Sequence, residues 1–190
     1  VAISIDTMKP LVARAAVAAG ANIWNDVAAL RYAPDGPRAA AELGCDLVLM
    51  HMRGEPRTMQ ADPQYDDVVA EVCAFLAERA EAALAAGVAR EKIWLDPGVG
   101  FGKRPEHNLA LIARLDAVAA LGFPVLLGVS RKRFIAALDP AGGAALDGRL
   151  AGSLAAALAG VQRGAAVLRV HDVAATVQAP KVWEAVAAAR

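Results

Sequence analysis

The chain has 190 residues, of which 57% are hydrophobic and 21% are charged, so it can bury a core and does not have the composition of a disordered polymer. Its 20 basic and 20 acidic residues cancel, which argues against a nucleic-acid or membrane partner and favours small-molecule ligands. The longest weakly polar run, residues 150–161, is too short for the roughly 20 residues that a membrane helix needs.

Two features of the sequence bear on the cellular compartment and on whether the chain is part of a longer domain. Cys45 and Cys73 fit structural thiols in a reducing cytoplasm better than a disulfide framework. The sequence starts at Val1, inside a predicted strand and without an initiator methionine, so we expect a fragment of a longer domain.

Short β-rich runs alternate with alanine-rich runs that carry apolar residues at helical spacing. The predicted strands are residues 1–5, 23–26, 47–50, 93–95, 125–128 and 167–170. The predicted helices are residues 9–19, 65–86, 107–120, 150–163 and 173–188. Glycines that suit helix C-caps follow five helical runs, at Gly20, Gly44, Gly87, Gly122 and Gly164. The alternation predicts a parallel sheet covered by helices.

Two architectures fit this alternation. The 163 residues from Asp6 to Arg169 hold five repeats, about 33 residues each, and a (β/α)₈ barrel has roughly 31 per unit. Six units account for the whole chain, which leaves it two units short of a closed barrel. The spacing alone also fits a complete six-stranded open sheet.

Polar residues recur where the predicted strands end: Asp6, Asn25, His51, Asp96, Ser130, and Arg169 with His171. The carboxyl ends of parallel strands lie on one face, so we expect these side chains to gather around one pocket. For any one of them, the simpler interpretation is that polarity resumes where a strand ends.

The segment from Asp96 to Lys103 places a carboxylate before three alternating glycines, which permit close approach of the backbone to a ligand. Its spacing does not match a P-loop. It also fails as a dinucleotide fingerprint, because Pro105 is expected to interrupt the chain before a helix that starts near His107.

Two basic segments fit anion recognition: Ser130 to Arg133, and Arg169 with His171 two residues apart on one side of a strand end. Taken alone, the first also fits a basic surface turn, and the second a His satisfied by its neighbours. Residues 50–60 form a long exit loop of the kind that covers functional sites. The three histidines lack zinc-ligand spacing.

Together these segments resemble the dihydropteroate synthase family, in the family's order. The matching segments are Ile5-Asp6-Thr7, Asn25-Asp26-Val27, Met50-His51-Met52 with Gly54, Pro56 and Thr58-Met59-Gln60, Asp96 to Lys103, Ser130-Arg131-Lys132 and Arg169-Val170-His171-Asp172. The resemblance implies a (β/α)₈ TIM barrel of which residues 1–190, a single pterin-binding domain, supply strands 3 to 8, with the first two units missing.

The resemblance implies an enzyme that condenses 6-hydroxymethyl-7,8-dihydropterin pyrophosphate with p-aminobenzoate, giving 7,8-dihydropteroate and pyrophosphate. Asp96 and Lys132 would be catalytic. The implied pterin-binding residues are Asp6, Asn25, Val27, Met50, Asp96, Lys132 and Arg169. The implied p-aminobenzoate-binding residues are Gly100, Phe101, Ser130 and Lys132. Arg169 and His171 would bind the pyrophosphate.

The family further implies Mg²⁺ as a cofactor, with its protein ligand upstream of this chain and none within it. It also implies a cytoplasmic homodimer that is a sulfonamide target, with the helices from Leu150 and Val173 available for the dimer interface. Without the upstream units we expect near-zero turnover from the 190 residues alone. The alternatives are a pterin-dependent methyltransferase-type domain and a fragment that binds pterin without turnover.

Overall fold

The computed structural model describes residues 1–55 and 58–189. Within them, strands and helices alternate. The strands are β1 (Ser4–Asp6), β2 (Ile23–Asp26), β3 (Asp46–Met50), β4 (Ile93–Asp96), β5 (Val125–Leu127) and β6 (Ala165–Leu168). The helices are α1 (Pro10–Ala18), α2 (Gly36–Leu43), α3 (Val68–Ala85), α4 (Pro105–Ala113), α5 (Leu115–Ala119), α6 (Arg133–Leu138), α7 (Leu150–Val161) and α8 (Val173–Ala188). Short 3₁₀ turns lie at Arg90–Lys92 and Asp147–Arg149.

The strands form one parallel sheet in the sequential order β1 to β6. A doubly wound sheet reverses its strand order at a switch point, whereas the wall of a barrel adds each strand beside the last. The sequential order therefore confirms the prediction of a partial TIM barrel. It excludes the alternative of a complete six-stranded open sheet of the doubly wound kind.

The core lies on both sides of this curved sheet. Leu47, Val48 and Leu49 are consecutive in β3, and all three are at most 1% exposed, as expected for parallel strands covered on both faces. Trp24 of β2 is fully buried, and its indole N–H donates to the Thr7 carbonyl at 2.8 Å. The sheet is thus held rigidly beneath the loops that follow its strands.

Helix α3 shows how the helices attach to the sheet. The Asp67 carboxylate accepts hydrogen bonds from the backbone N–H groups of Val69 and Ala70, which caps the first turn. The buried face of α3 repeats at helical spacing and consists of Val68, Val69, Val72, Leu76, Ala80 and Ala83. All five glycines predicted to follow helices have positive φ, from 59° to 106°.

The helix predicted over residues 107–120 is present but divided into two helices, α4 and α5. Pro105 starts α4 instead of interrupting the chain, because a proline at the first helical position has the required φ and no unsatisfied N–H. Arg114 then ends α4 with φ −122° and ψ 34°, and α5 begins at the next residue. His107 lies within the first turn of α4, where its Nδ1 accepts from the Arg104 N–H at 3.1 Å.

Other boundaries differ from the sequence predictions at the ends of the sheet. The first strand is Ser4–Asp6 and not residues 1–5, and the last is Ala165–Leu168 and not 167–170. Helix α2 was predicted only through its C-cap Gly44, without bounds, and the six-residue helix α6 was not predicted. The two cysteines are free and half-buried. Among the described residues, no helix is long and apolar enough to span a membrane.

Candidate active site

The carboxyl edge of the sheet collects most of the polar residues singled out in the sequence. Asp6 and Asp96 are the last residues of β1 and β4, and Asn25 lies in β2 directly opposite Asp6. Met50 is the register partner of Asp96 across β3 and β4. Arg169 follows β6, and its backbone N–H donates to the Leu127 carbonyl at 3.0 Å. The fold therefore brings together residues up to 163 positions apart.

A cavity of about 520 Å³ opens at this edge, which is a suitable size for a small-molecule ligand. Its lining consists of Asp96, Val99, Phe101, Gly128, Ser130, Arg131, Lys132, Leu146, Arg169, Val170 and His171. The strand-end prediction is thus met by Asp96, Ser130, Arg169 and His171, which share one cavity with Lys132.

Asp96 is fixed at the base of the cavity. Its side chain is almost fully buried, and its Oδ1 accepts the Gly98 backbone N–H at 2.7 Å. Burial raises the pKa of Asp96, while the Gly98 N–H and the positive charges of Lys132, Lys103 and Arg169 act against that rise. The site therefore surrounds one buried carboxyl group with cations.

Lys132 closes another side of the cavity. Its Nζ lies 4.2 Å from the centroid of the Phe101 ring, a cation–π contact, and burial lowers its pKa. Gly100 packs behind Lys132, because a Cβ added there would lie 3.0 Å from Lys132 Cδ. Gly100 lines an adjacent cavity on the other side of Lys132 and not the first one. Phe101 and Lys132 together form a wall of the cavity against which a flat apolar ring could pack.

The loops after β5 and β6 are tied together beside the cavity. Ser130 Oγ is 2.9 Å from His171 Nδ1 and accepts the His171 backbone N–H at 3.2 Å. Arg131, with φ 57°, forms a bidentate pair with Asp172 at 3.0 and 2.6 Å. The Arg131 N–H donates to Ser153 Oγ at 2.9 Å. This unusual backbone conformation is held by several bonds at once and aims Ser130 and Lys132 at the cavity.

The β1 side is more open. Arg169 pairs with the Asp6 carboxylate, and both side chains are about half exposed. Asn25 Nδ2 donates to Asp6 Oδ1 at 2.8 Å, and Asn25 Oδ1 is buried with no hydrogen-bond partner within the described part of the chain. Asp6 and Asn25 were expected to line the cavity. They do not, and they connect to it only through Arg169. Met50 and Val27, the two apolar residues among those implied to bind pterin, do not line the cavity either. Met50 is buried and Val27 is half-buried.

His51 has a different role from the one its strand-end position suggested. It is 5% exposed, and its ring packs edge-on against Phe75 at 4.9 Å between centroids. Its Nδ1 lies 2.9 Å from Lys103 Nζ. Burial, with the charges of Lys103 and nearby arginines, lowers the pKa of His51 to about 3. His51 supports the loop beneath the site and does not line the cavity.

The predicted cover loop, residues 50–60, is described except for Pro56 and Arg57, which lie outside the described residues. Its Gln60 side chain donates to the Gly100 carbonyl at 2.5 Å. Further along, the Tyr65 hydroxyl donates to the Gly102 carbonyl at 2.8 Å. These contacts place the described part of the loop against the glycine segment. Within residues 1–55 and 58–189, no three His, Cys, Asp or Glu side chains cluster in a way that could hold a metal ion.

Residues 1–171 match the family model described as "Pterin binding enzyme". The chain belongs to this family of pterin-binding enzymes.

Individual relatives narrow the assignment. The dihydropteroate synthase of Haemophilus influenzae is 46% identical over 186 residues, covering 97% of this chain and 66% of the relative. The crystal structure of dihydropteroate synthase from Stenotrophomonas maltophilia, with imidazole bound in its active site, is 54% identical with a TM-score of 0.94, covering 100% of this chain and 71% of that one. The Xanthomonas albilineans enzyme in complex with 7,8-dihydropteroate is 52% identical with a TM-score of 0.90, covering 99% and 69%.

Within the family, the chain is therefore a member of the dihydropteroate synthases. It spans 65% to 66% of the length of the first curated relatives that it matches.

Proposed function

We propose that the protein to which this chain belongs joins 6-hydroxymethyl-7,8-dihydropterin pyrophosphate to p-aminobenzoate, with release of pyrophosphate. The observation that carries this proposal is the shared cavity, in which a buried carboxyl group at Asp96 faces Lys132, Arg169 and His171. In such a cavity the carboxyl group can stabilise a positive charge that develops on the pterin, and the basic side chains can bind the diphosphate that leaves. The Xanthomonas relative, solved with 7,8-dihydropteroate, supports the same product.

The pterin would lie over the carboxyl edge of the sheet. A pterin presents alternating donors and acceptors, which match the carboxylates of Asp6 and Asp96 and the amide of Asn25. The buried Asn25 Oδ1 offers an acceptor for a pterin N–H. Arg169 carries a planar guanidinium suited to the diphosphate and to the pterin face. The same guanidinium also pairs with Asp6.

In the reaction, the bond between the pterin methylene and the diphosphate oxygen breaks, and the oxygen keeps the electron pair. The p-aminobenzoate nitrogen then forms a bond to the methylene carbon and gives up one proton. Positive charge develops on the pterin methylene, and the Asp96 carboxylate stabilises it. Arg169 and His171 hold the departing diphosphate, while Phe101, Ser130 and Lys132 position the arylamine ring and Gly100 packs behind Lys132.

Four further properties of this function are part of the proposal. Mg²⁺ would be held mainly by the diphosphate oxygens. Sulfonamides would compete for the arylamine pocket. A homodimer would use α7 and α8, where α8 has four valines at least half exposed: Val173, Val177, Val182 and Val186. A cytoplasmic location suits the two free thiols, Cys45 and Cys73.

Two other functions remain as alternatives, a pterin-dependent methyl transfer and pterin binding without turnover. Neither needs cations to receive a diphosphate, whereas Arg169 and His171 line the cavity together. The synthase therefore accounts for a part of the site that the alternatives leave without a role.

A coupled assay for pyrophosphate release tests the proposal on a full-length protein that contains this chain. We expect release only when both dihydropterin pyrophosphate and p-aminobenzoate are present. A Lys132→Ala variant should lose about 10- to 150-fold in p-aminobenzoate affinity, which corresponds to one lost charge-assisted contact. No release by the native protein, combined with undiminished p-aminobenzoate binding by the variant, would refute the synthase function.

A further inference from the structure

Lys103 is a buried cation that the proposed reaction does not use. It is 3% exposed and ends the glycine segment that begins after Asp96. Its Nζ lies 2.9 Å from the Gly98 carbonyl oxygen, 3.0 Å from the Phe101 carbonyl oxygen and 2.9 Å from His51 Nδ1. The His51 carbonyl oxygen lies farther away, at 3.4 Å. An ammonium group has three N–H donors, and Lys103 therefore has at least one acceptor for each.

These contacts join two loops that are packed too closely for side chains at the glycines. A Cβ added at Gly98 would lie 1.9 Å from the His51 carbonyl oxygen, and one added at Gly102 would lie 2.3 Å from the Arg53 carbonyl oxygen. Both glycines also have positive φ, of 67° and 60°. The glycine loop is thus pressed against the exit of β3, and Lys103 links the two from inside.

The far end of this loop carries the groups proposed to face the arylamine. Phe101 places its ring under Lys132 Nζ, and Gly100 packs against the Lys132 side chain. Asp96 depends less on the loop, because β4 holds its backbone: the Asp96 carbonyl accepts the His51 N–H at 3.0 Å. A loosened loop would therefore displace Phe101 and Gly100 more than Asp96.

We propose that Lys103 is a positioning residue for the arylamine substrate, which shapes the pocket formed by Phe101 and Lys132 by holding the glycine loop to His51. The proposal rests on the proposed function for the identity of that substrate. Lys103 does not touch either substrate itself and acts through the loop.

The energetics distinguish this role from a contribution to folding. Burial lowers the pKa of Lys103 to about 7, which means that enclosing its charge is unfavourable. Replacement of Lys103 by an apolar residue removes this unfavourable enclosure, but it leaves the acceptors at His51, Gly98 and Phe101 unpaired, so the two effects on stability oppose each other. A residue retained for pocket shape should therefore affect catalysis by more than its effect on stability accounts for, whereas a residue retained for folding should not.

The test compares Lys103→Met with Lys92→Met, a matched change at a surface lysine whose ammonium lies 3.2 Å from Asp46. In the full-length protein, we expect Lys103→Met to lower kcat/KM for p-aminobenzoate by about 10- to 100-fold, as for displacement of the groups that position a substrate. KM for dihydropterin pyrophosphate should stay within about twofold, and any fall in Tm should be too small to account for the loss of activity. Lys103→Gln, which keeps one amide donor group, should recover part of the loss.

Three results would overturn the proposal: native kinetics in Lys103→Met, an equal loss for both substrates, or a fall in Tm that accounts for the loss. Hydrogen exchange at the Gly98 and Gly100 amides, which are bonded to Asp96 and Asn108 side chains, gives a readout independent of turnover. Exchange should be faster in Lys103→Met, or in Lys103→Gln if the first variant does not fold, and unchanged exchange contradicts the proposal. If the native protein releases no pyrophosphate, the proposed function fails while this readout still tests the role of Lys103 in the loop.

Discussion

The two sides of the candidate site are built differently. Beside β4 and β5, Asp96 is buried and Lys132 is partly buried, and Asp96 and the glycine loop are held by buried hydrogen bonds. Beside β1 and β6, Arg169 and Asp6 meet in an ion pair whose side chains are 55% and 45% exposed. The enclosed side suits a rigid pocket for a flat, weakly polar ring, and the open side suits a charged group that must enter and leave.

This difference in exposure predicts which substitutions change folding stability and which change ligand binding. An exposed ion pair contributes about 0 to 1 kcal/mol to the free energy of unfolding, because water screens the charges. A buried carboxyl group surrounded by cations is costly to enclose and is retained where it serves another purpose. Changes on the open side should therefore affect ligand binding with little effect on folding, and changes on the enclosed side should affect the chemical step most.

The largest expected effect is at Asp96. Asp96→Asn keeps the shape of the side chain and removes its negative charge from the developing positive centre, so we expect kcat to fall roughly 10²- to 10³-fold. Steady-state pyrophosphate release measures the change, with Asp116→Asn on the exposed face of α5 as the control. A loss smaller than about threefold would mean that the enclosed carboxylate does not take part in the reaction.

A smaller effect is expected at Arg169. Arg169→Met keeps the length of the side chain but removes its charge and its contacts with the diphosphate, which should weaken dihydropterin pyrophosphate binding about 10- to 150-fold. Tm should change little, because the pair with Asp6 is exposed. Calorimetric titration and thermal melting measure both, with Arg38→Met in the exposed pair with Glu42 as the control. A large fall in Tm with unchanged affinity would show that Arg169 on the open side serves folding and not diphosphate binding.

The smallest effect, taken per pH unit, concerns acid stability on the enclosed side. The pKa of folded His51 is about 3, below its ordinary value of 6.5, so the unfolded chain binds more protons between these values. This group should therefore reduce the free energy of unfolding as the pH falls from about 6.5 towards 3, by at most about 1.4 kcal/mol per pH unit.

Urea unfolding at several pH values, compared between the native chain and His51→Gln, isolates that contribution from the carboxyl groups. The slope of stability against pH in this range should be shallower in the variant. Equal slopes would show that His51 is protonated in the fold, which is incompatible with its enclosure beside Lys103.

The sequence was sufficient to predict convergence at the sheet edge, because parallel strands place their carboxyl ends together whatever their separation along the chain. Asp96, Ser130, Arg169 and His171 were located in this way. The same rule misjudged His51, whose ring turns away from the cavity to pack on Phe75. A strand-end position fixes where the backbone lies, but the direction of a side chain depends on the packing around it.

Two supporting interactions were missed for a related reason. The role of Lys103 depends on carbonyl groups that turn inward only when the glycine loop meets the β3 exit, and the Arg131–Asp172 pair joins loops 41 positions apart. Neither contact has a local pattern in the sequence. The positive φ of Arg131 could not be foreseen either, since it is stabilised by Ser153 from α7 and by Asp172.

A crystal structure of the protein with a pterin analogue and p-aminobenzoate tests the central claim most directly. The account predicts that a pterin N–H lies within hydrogen-bond distance of Asn25 Oδ1, that Asp96 contacts the heterocycle, and that the aryl ring lies against Phe101 and Lys132. Ligands bound away from the carboxyl edge of the sheet, or a pterin that leaves Asn25 Oδ1 without a donor, would contradict it.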